Sequence, residues 1–530
     1  MALLFASLVR VLFSFLPYYL RDLPEITLPL YVAVRQASTA SPVNGVAVRT
    51  KFILCSLAVA TFLSPALAAD APVDCDHLMA WMAGGVSASS VIATVQNRGS
   101  AVSLTPASEN ELRTAGGSPE LLITLRRLQP STGVHSSCSA TLAKAASLAH
   151  RKQYEDADDV LARLIDRDPH NGALHFALGY VKQQLGDWNS AFDEYSASKE
   201  AEPGFAPVHN RLALVFYQAD DSDNAIGEAR TALSMDFNDP EAYRMLGLGH
   251  YANEQFESAM NAFQESLARD PKNAEVYYEM GLVARDQGAP EQAIGFFLKS
   301  LQLKPQVWQV HSSLGEVMGQ QKRFDEALIE LNTAKNMASR EPSVRETLAN
   351  VFYGKGDYDA SIAEYRELFR LDPNWRRGHD SLARAYMAKK ELAPAVAELK
   401  LAVEQNPSSA AQHRALGQLL LLSDQHTESV RELRIAVELD PDSASSHYYL
   451  GTGLLELQQL PAALKEFQEA VRIEPSAEHH YALAACLMNM GHDNEALAEM
   501  QVASRLDPEK KLYHAREEEL MKLMHASSAR

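Results

Sequence analysis

Seven histidines share one column of this chain: His175, His209, His311, His379, His413, His447 and His480, spaced by multiples of 34 residues until a last step of 33. Imidazole binds metals and exchanges protons near neutral pH, so the column is the first place to look for chemistry. Shared ligation fails on distance. If each 34-residue unit is a pair of helices packed at roughly 8 to 10 Å, successive members stand roughly 20 Å apart, beyond any common coordination sphere. What remains is a set of flat rings packed between helices, or alternatively a set of pH sensors. Two smaller groups carry polar chemistry. Asp74, Asp76 and His77 lie close in sequence beside several serines, without the spacing of a recognisable catalytic constellation. Asp220, Asp221 and Asp223 resemble half a calcium loop but lack its Gly and distal Glu, and so read as a polar turn. The chain contains no GxxxxGK[ST], HExxH, CxxC or GxSxG. No cofactor, no metal and no catalytic residue is expected.

The elements that would position these residues are legible in the stretch Ala274 to Val307. Tyr277, Met280, Ala284, Ala293, Phe297 and Leu301 recur at helical spacings, and Gly288 and Pro290 break the run between them. Gly suits the end of one helix and Pro the first turn of the next, so the unit is a helix-turn-helix. It recurs along the chain. A closing proline stands at Pro169, Pro203, Pro271, Pro305, Pro373, Pro407, Pro441, Pro475 and Pro508, with Phe237 and Ser339 at the two missing steps. A small residue follows in each unit, among them Gly179, Ala213, Gly247, Gly281, Gly315, Ala349, Ala383, Gly417, Gly451 and Ala484. A second small column runs through Ala191, Ala225, Ala259, Ala293, Ala327, Ala395, Ala463 and Ala496, with Ser361 and Ser429 as relaxed members. Small side chains here let paired helices approach, while Tyr195, Phe263, Phe297, Tyr365 and Phe467 fill the space four places later.

This pattern resembles the tetratricopeptide repeat over about seven tenths of the chain. The resemblance implies an all-α fold, a right-handed superhelical α-solenoid of about eleven repeats over residues 138–510. The first repeat, Cys138 to Asn171, is the most divergent, with Lys144 where Leu is usual. Residues 511–530 read as a polar capping helix and tail, with Glu517, Glu518 and Glu519 facing water.

Ahead of the repeats, residues 1–69 read as an N-terminal extension and signal peptide. Arg49 and Lys51 precede an apolar run from Phe52 to Leu63, then Pro65 and Ala66-Leu67-Ala68, which predicts cleavage after Ala68 and export to the periplasm or beyond. The alternative is an uncleaved helix anchored in the inner membrane. A second apolar stretch, Met1 to Leu20, is explained either by a true translation start near Val46 or Val48 or by a membrane helix of its own. Residues 70–137 form a small helical module, with helical spacing over Asp76 to Ala83, Ser87 to Arg98, Pro106 to Ala115 and Ser118 to Leu128. Cys75 and Cys138 bracket the module, and in an oxidising compartment a bridge between them would tie its ends together. Cys486, on an apolar helix face, reads as a buried small residue.

A formal charge of −19 without clustered Lys and Arg argues against nucleic acid as a partner. The resemblance implies a binding scaffold, in which the first helix of each repeat lines a concave surface that holds extended peptides or partner helices. That surface would carry Tyr180, Tyr217, Tyr251, Tyr278 and Tyr353 in the first half. In the second half it would carry Met387, Leu421, Tyr448, Leu455, Tyr481 and Met488, an apolar strip suited to a protein or peptide partner with apolar groups. In the run Leu419 to Leu422 helical geometry turns at least one leucine outward, and Leu421 is the expected one. A carboxylate clamp is not expected: Asn350 is the one inner asparagine in a comparable place, and Glu346 stands where a basic residue would be needed. By analogy of fold and location, association with envelope assembly or secretion machinery is expected. The alternative reading is an enzyme or enzyme subunit in which the 70–137 module is catalytic and the repeats target it.

Overall fold

The computed structural model describes residues 72–128, 138–375 and 378–528. The expected signal segment and its expected cleavage position lie outside them. Among the described residues the chain is all-α, with 27 helices and one isolated bridge between Val73 and Ser100. No described helix is long and apolar enough to cross a membrane. The chain divides into two compact units, one ending at Arg151 and one beginning at Lys152.

The first unit contains α1 (Cys75–Ala83), α2 (Ala88–Arg98), α3 (Pro106–Thr114), α4 (Pro119–Arg127) and α5 (Ala140–His150). Its first four helices start where a short polar side chain accepts a backbone N–H: Asp74, Ser87, Thr105 and Ser118. Leu78, Met79, Trp81, Leu112 and Leu121 form its buried centre. Cys75 and Cys138 are joined by a disulfide with Cα atoms 5.0 Å apart. Beside it the Ser139 N–H donates to Asp76 at 3.1 Å. The two links hold the start of α5 against α1, and α5 buries Leu142, Ala145, Ala146 and Ala149. The compact unit thus ends beyond α5, whereas the sequence pattern counts that helix with the first repeat. The divergence of that repeat has a physical reason: its first helix answers to the module.

The second unit opens with α6 (Tyr154–Ile165) and continues as hairpins. Repeats 2 to 4 are α7 (Gly172–Gln184) with α8 (Trp188–Ala201), α9 (Ala206–Gln218) with α10 (Ser222–Met235), and α11 (Pro240–Ala252) with α12 (Phe256–Arg269). Repeats 5 to 7 are α13 (Ala274–Asp286) with α14 (Pro290–Leu303), α15 (Trp308–Gln320) with α16 (Phe324–Met337), and α17 (Pro342–Lys355) with α18 (Tyr358–Leu371). Repeats 8 and 9 are α19 (His379–Ala388) with α20 (Leu392–Gln405) and α21 (Ala410–Leu422) with α22 (His426–Leu439). Repeats 10 and 11 are α23 (Ala444–Glu456) with α24 (Leu460–Ile473) and α25 (Ala477–Asn489) with α26 (Asp493–Leu506), and α27 (Lys511–Ser528) closes the stack.

The small-residue columns are what each hairpin closes around. A Cβ placed on Gly179 would lie 2.7 Å from the Tyr195 ring, and one on Gly247, Gly281 or Gly451 would strike Phe263, Phe297 or Phe467 in the same way. Tyr195, Phe263 and Phe297 are fully buried, and each such ring contributes roughly 1.5 to 3 kcal/mol through removal of apolar area from water. Ala191, Ala225, Ala259, Ala293, Ala327, Ala395, Ala463 and Ala496 are also fully buried, so neither column has room to grow.

First helices of neighbouring repeats meet one another as well, α9 with α11, α15 with α17, α21 with α23 and α23 with α25. Successive second helices do not approach one another to this degree among the described residues. The stack therefore bends with its first helices on the inner side. At its end α27 buries Tyr513 and Leu520 while Glu518 and Glu519 stay exposed, the arrangement a terminal cap requires.

Candidate partner-binding surface

One inner column runs through Tyr217, Tyr251, Arg285, Gly319, Tyr353, Met387, Leu421, Leu455 and Met488, each near the last turn of a first helix. Its chemistry changes along the stack. In repeats 3 to 5 it borders a cavity of ≈ 740 Å³ lined by Tyr217, Asp220, Tyr251, Glu254, Phe256 and Asp286. The Tyr251 hydroxyl donates a short hydrogen bond to Asp286, whose other oxygen accepts from Arg285 at 2.7 Å. Burial, and then the bond to Asp286, pushes the Tyr251 phenol well above its ordinary range. Burial and the nearby Glu279 and Tyr278 push Tyr217 up as well.

Behind this wall Arg244 grips Glu279 with donor distances of 2.6, 2.9 and 3.0 Å and reaches Glu241 at 2.9 Å. Burial pushes the Glu279 carboxyl up to about 7, against the pull of the Arg244 guanidinium. The pair joins two adjacent first helices and is internally balanced, so its charges are committed to the fold.

The six residues of the expected apolar strip are all half-buried. Met387 packs against the core of repeats 7 to 9, and Leu421, Tyr448, Leu455 and Met488 against that of repeats 9 to 11. The Tyr448 hydroxyl donates to Glu478 at 3.2 Å. Tyr481 lies 5.0 Å from Tyr513, centroid to centroid, and so meets the capping helix. In the leucine run it is Leu422, 60% exposed, that faces outward, while Leu421 points toward Gly453 of the next repeat. The difference follows from α21 ending at Leu422, which frees the last side chain from the helix–helix seam. In the first half Tyr180 and Tyr278 are half-buried and Tyr353 is exposed.

The histidine column is hydrogen-bonded as well as packed. In all seven repeats Nδ1 pairs with a glutamate nineteen residues later on the second helix, at 2.5 to 2.8 Å: Glu194, Glu228, Glu330, Glu398, Glu432, Glu466 and Glu499. In His175, His311, His413 and His447 the other ring nitrogen faces a proline carbonyl at 3.0 to 3.1 Å. Repeat 7 has Arg345 in the column and keeps the pairing with Glu364 at 2.6 Å. Repeats 4 and 5 have Tyr243 and Tyr277, and the position nineteen later holds Ala262 and Phe296. The column is thus a set of pins between the two helices of a hairpin, and its glutamate half was readable as a second periodic column.

The remaining polar groups are also committed. Asp74 caps α1 and accepts from the His77 ring at 2.7 Å; burial raises its carboxyl, but the His77 bonds outweigh that and hold it below the ordinary value. Asp221 caps α10, and Asp223 accepts from Asn253 at 3.2 Å, so the aspartate run is a polar turn. No group of three or more His, Cys, Asp or Glu side chains able to hold a metal occurs among the described residues. Cys486 is free and buried. Asn350 accepts from the Tyr365 hydroxyl at 2.6 Å.

The tetratricopeptide repeat family model matches residues 244–307, 346–410 and 414–478. Those three segments match the tetratricopeptide repeat, and the hairpins outside them share the same helix-turn-helix geometry. Among solved structures the chain is similar to yeast Tom70, at 14% identity over 74% of this chain and 95% of that one with a TM-score of 0.34. It is also similar to a tetratricopeptide repeat protein from Parabacteroides merdae, at 15% identity over 47% of this chain and 98% of that one with a TM-score of 0.35. Similarity to MamA is 24% over 31% of this chain and 95% of that one, with a TM-score of 0.26. No curated protein matches the chain in sequence.

Proposed function

We propose that this protein is a non-catalytic scaffold that works outside the cytoplasm and holds a protein or peptide partner on the inner face of its repeat stack. The observation that carries the reading is the inner column, where Met387, Leu421, Leu455 and Met488 follow one another across four repeats, packed on the core on one side and half-exposed on the other. With Tyr448 and Tyr481 they supply contact area to a partner's apolar groups. The Cys75–Cys138 bridge supports an oxidising compartment, as do the basic residues, apolar run and Ala66-Leu67-Ala68 at the N-terminus. On that location rests the further proposal that the partner belongs to envelope assembly or secretion machinery.

Capture from the envelope fraction tests the reading. Changing Leu421→Asp with Tyr448→Ser is expected to remove the captured partner while circular dichroism shows the helices intact, and Arg285→Ala is expected to do far less. Capture of the same partner at unchanged strength by the folded double variant contradicts it. N-terminal sequencing of exported material is expected to begin at Ala69; a start before Lys51, or extraction only by detergent, contradicts export by cleavage.

A further inference from the structure

We propose that the cavity at the ends of α9, α11 and α13 receives the cationic side chain, arginine or lysine, of an extended peptide. This adds a charge-selective subsite to the inner face and stands independently of the apolar strip. The walls are aromatic: Tyr217, Tyr251 and Phe256, the last two with ring centroids 6.2 Å apart. Aromatic faces carry negative electrostatic potential and attract guanidinium and ammonium groups. The rim is acidic. Asp220 and Glu254 are exposed and occupy the left-handed turn positions, φ 57° and 56°, at which other repeats place glycine (Gly186, Gly288), lysine (Lys322, Lys390) or, in repeat 9, Asp424. Asp286 adds a third carboxylate. Arg285, beside the cavity, is bound by Asp286 at 2.7 Å and by Glu316 at 3.4 Å, so the rim keeps its negative balance. Arg244, deeper in the stack, is likewise offset by Glu241, Glu275 and Glu279.

The inner face already contains a sample of the chemistry. One repeat earlier the Arg211 guanidinium sits 5.1 Å from the Tyr180 ring centroid. The chain's own arginine there occupies the kind of place that Tyr217 and Tyr251 offer to a partner. The cavity volume of ≈ 740 Å³ takes a long basic side chain with a stretch of its backbone. A net charge of −19 over the chain draws a cationic peptide in before contact.

The test is fluorescence anisotropy of the full chain with a labelled Gly-Arg-Gly-Arg-Gly peptide and the same peptide with citrulline for arginine. The arginine peptide is expected to bind at least about tenfold more tightly than its neutral counterpart. Asp220→Asn with Glu254→Gln, both on exposed side chains, is expected to reduce that affinity about tenfold, and Tyr217→Leu several-fold. Asp424→Asn with Glu456→Gln removes the same charge from repeats 9 and 10 and is expected to change nothing. Leu421→Asp with Tyr448→Ser should also leave this affinity alone, which separates failure here from failure of the apolar strip. Absence of binding to the arginine peptide, equal binding of the citrulline peptide, or equal losses in the two charge-removal variants would overturn the proposal.

Discussion

In repeats 3 to 5 the inner column presents Tyr217, Tyr251 and Arg285 among carboxylates, while in repeats 8 to 11 the same column presents Met387, Leu421, Leu455 and Met488. The hairpins behind the two regions are alike: Phe263, Phe297 and Phe467 are buried against Gly247, Gly281 and Gly451 in the same way. The stack thus separates two kinds of position. Columns that close a hairpin are held to small residues or large rings by sterics. The column at the end of each first helix does not close its own hairpin and carries residues as different as Gly319, Arg285 and Leu421, so its chemistry changes along the chain.

The comparison can be broken first at its most polar point. Arg244→Leu is expected to cost about 3 to 5 kcal/mol, because it leaves Glu279, 8% exposed, as a buried carboxylate without its cation. Denaturant unfolding measures the loss. The sign of its pH dependence follows from burial: with the cation gone the folded state binds a proton that the unfolded chain, with an ordinary carboxyl near 4.5, releases. Folding then takes up a proton between those values, so the variant should regain stability as the pH is lowered from 8 toward 5. A loss that does not change with pH would mean that Glu279 escapes to solvent.

Ala293→Leu, at a fully buried position, is expected to cost about 1 to 3 kcal/mol by overfilling the seam of repeat 5. Repeats contact only their neighbours, so hydrogen-exchange protection should fall around Ala274 to Val307 and persist in Ala444 to Pro475. Unchanged protection beside the substitution would contradict the seam. A smaller effect distinguishes the histidine pins. His413→Phe deprives Glu432, 7% exposed, of one partner and is expected to cost about 1 to 3 kcal/mol. His311→Phe, where Glu330 is 23% exposed and can turn to water, should cost less than about 1 kcal/mol. Equal costs at the two sites would mean that ring packing alone matters.

The repeat boundaries were legible because two helices of fixed length leave a 34-residue imprint, and the turns at Gly288, Pro290 and their counterparts punctuate it. The four module helices were legible for a similar reason, with Ser87 and Ser118 acting as caps where the pattern placed their starts. Other features depend on pairs that only folding brings together. His413 reads as an aromatic substitute until Glu432 is seen across the hairpin, 2.8 Å away. Asp220 reads as an ordinary turn residue until its left-handed conformation is seen beside Tyr217 and Tyr251. Which leucine of Leu419 to Leu422 faces outward depended on the last residue of α21, and helix ends are poorly marked in a run of identical residues.

In the proposed function, partners are held by first helices on the inner side. Methionines provide a direct readout, since Met387 and Met488 are half-buried on the inner column while Met235 and Met337 are exposed at the ends of second helices. Oxidative footprinting of the chain, alone and with its captured partner bound, is expected to show protection of Met387 and Met488 and unchanged oxidation of Met235 and Met337. Protection of Met235 and Met337 with Met387 and Met488 unaffected would contradict the account.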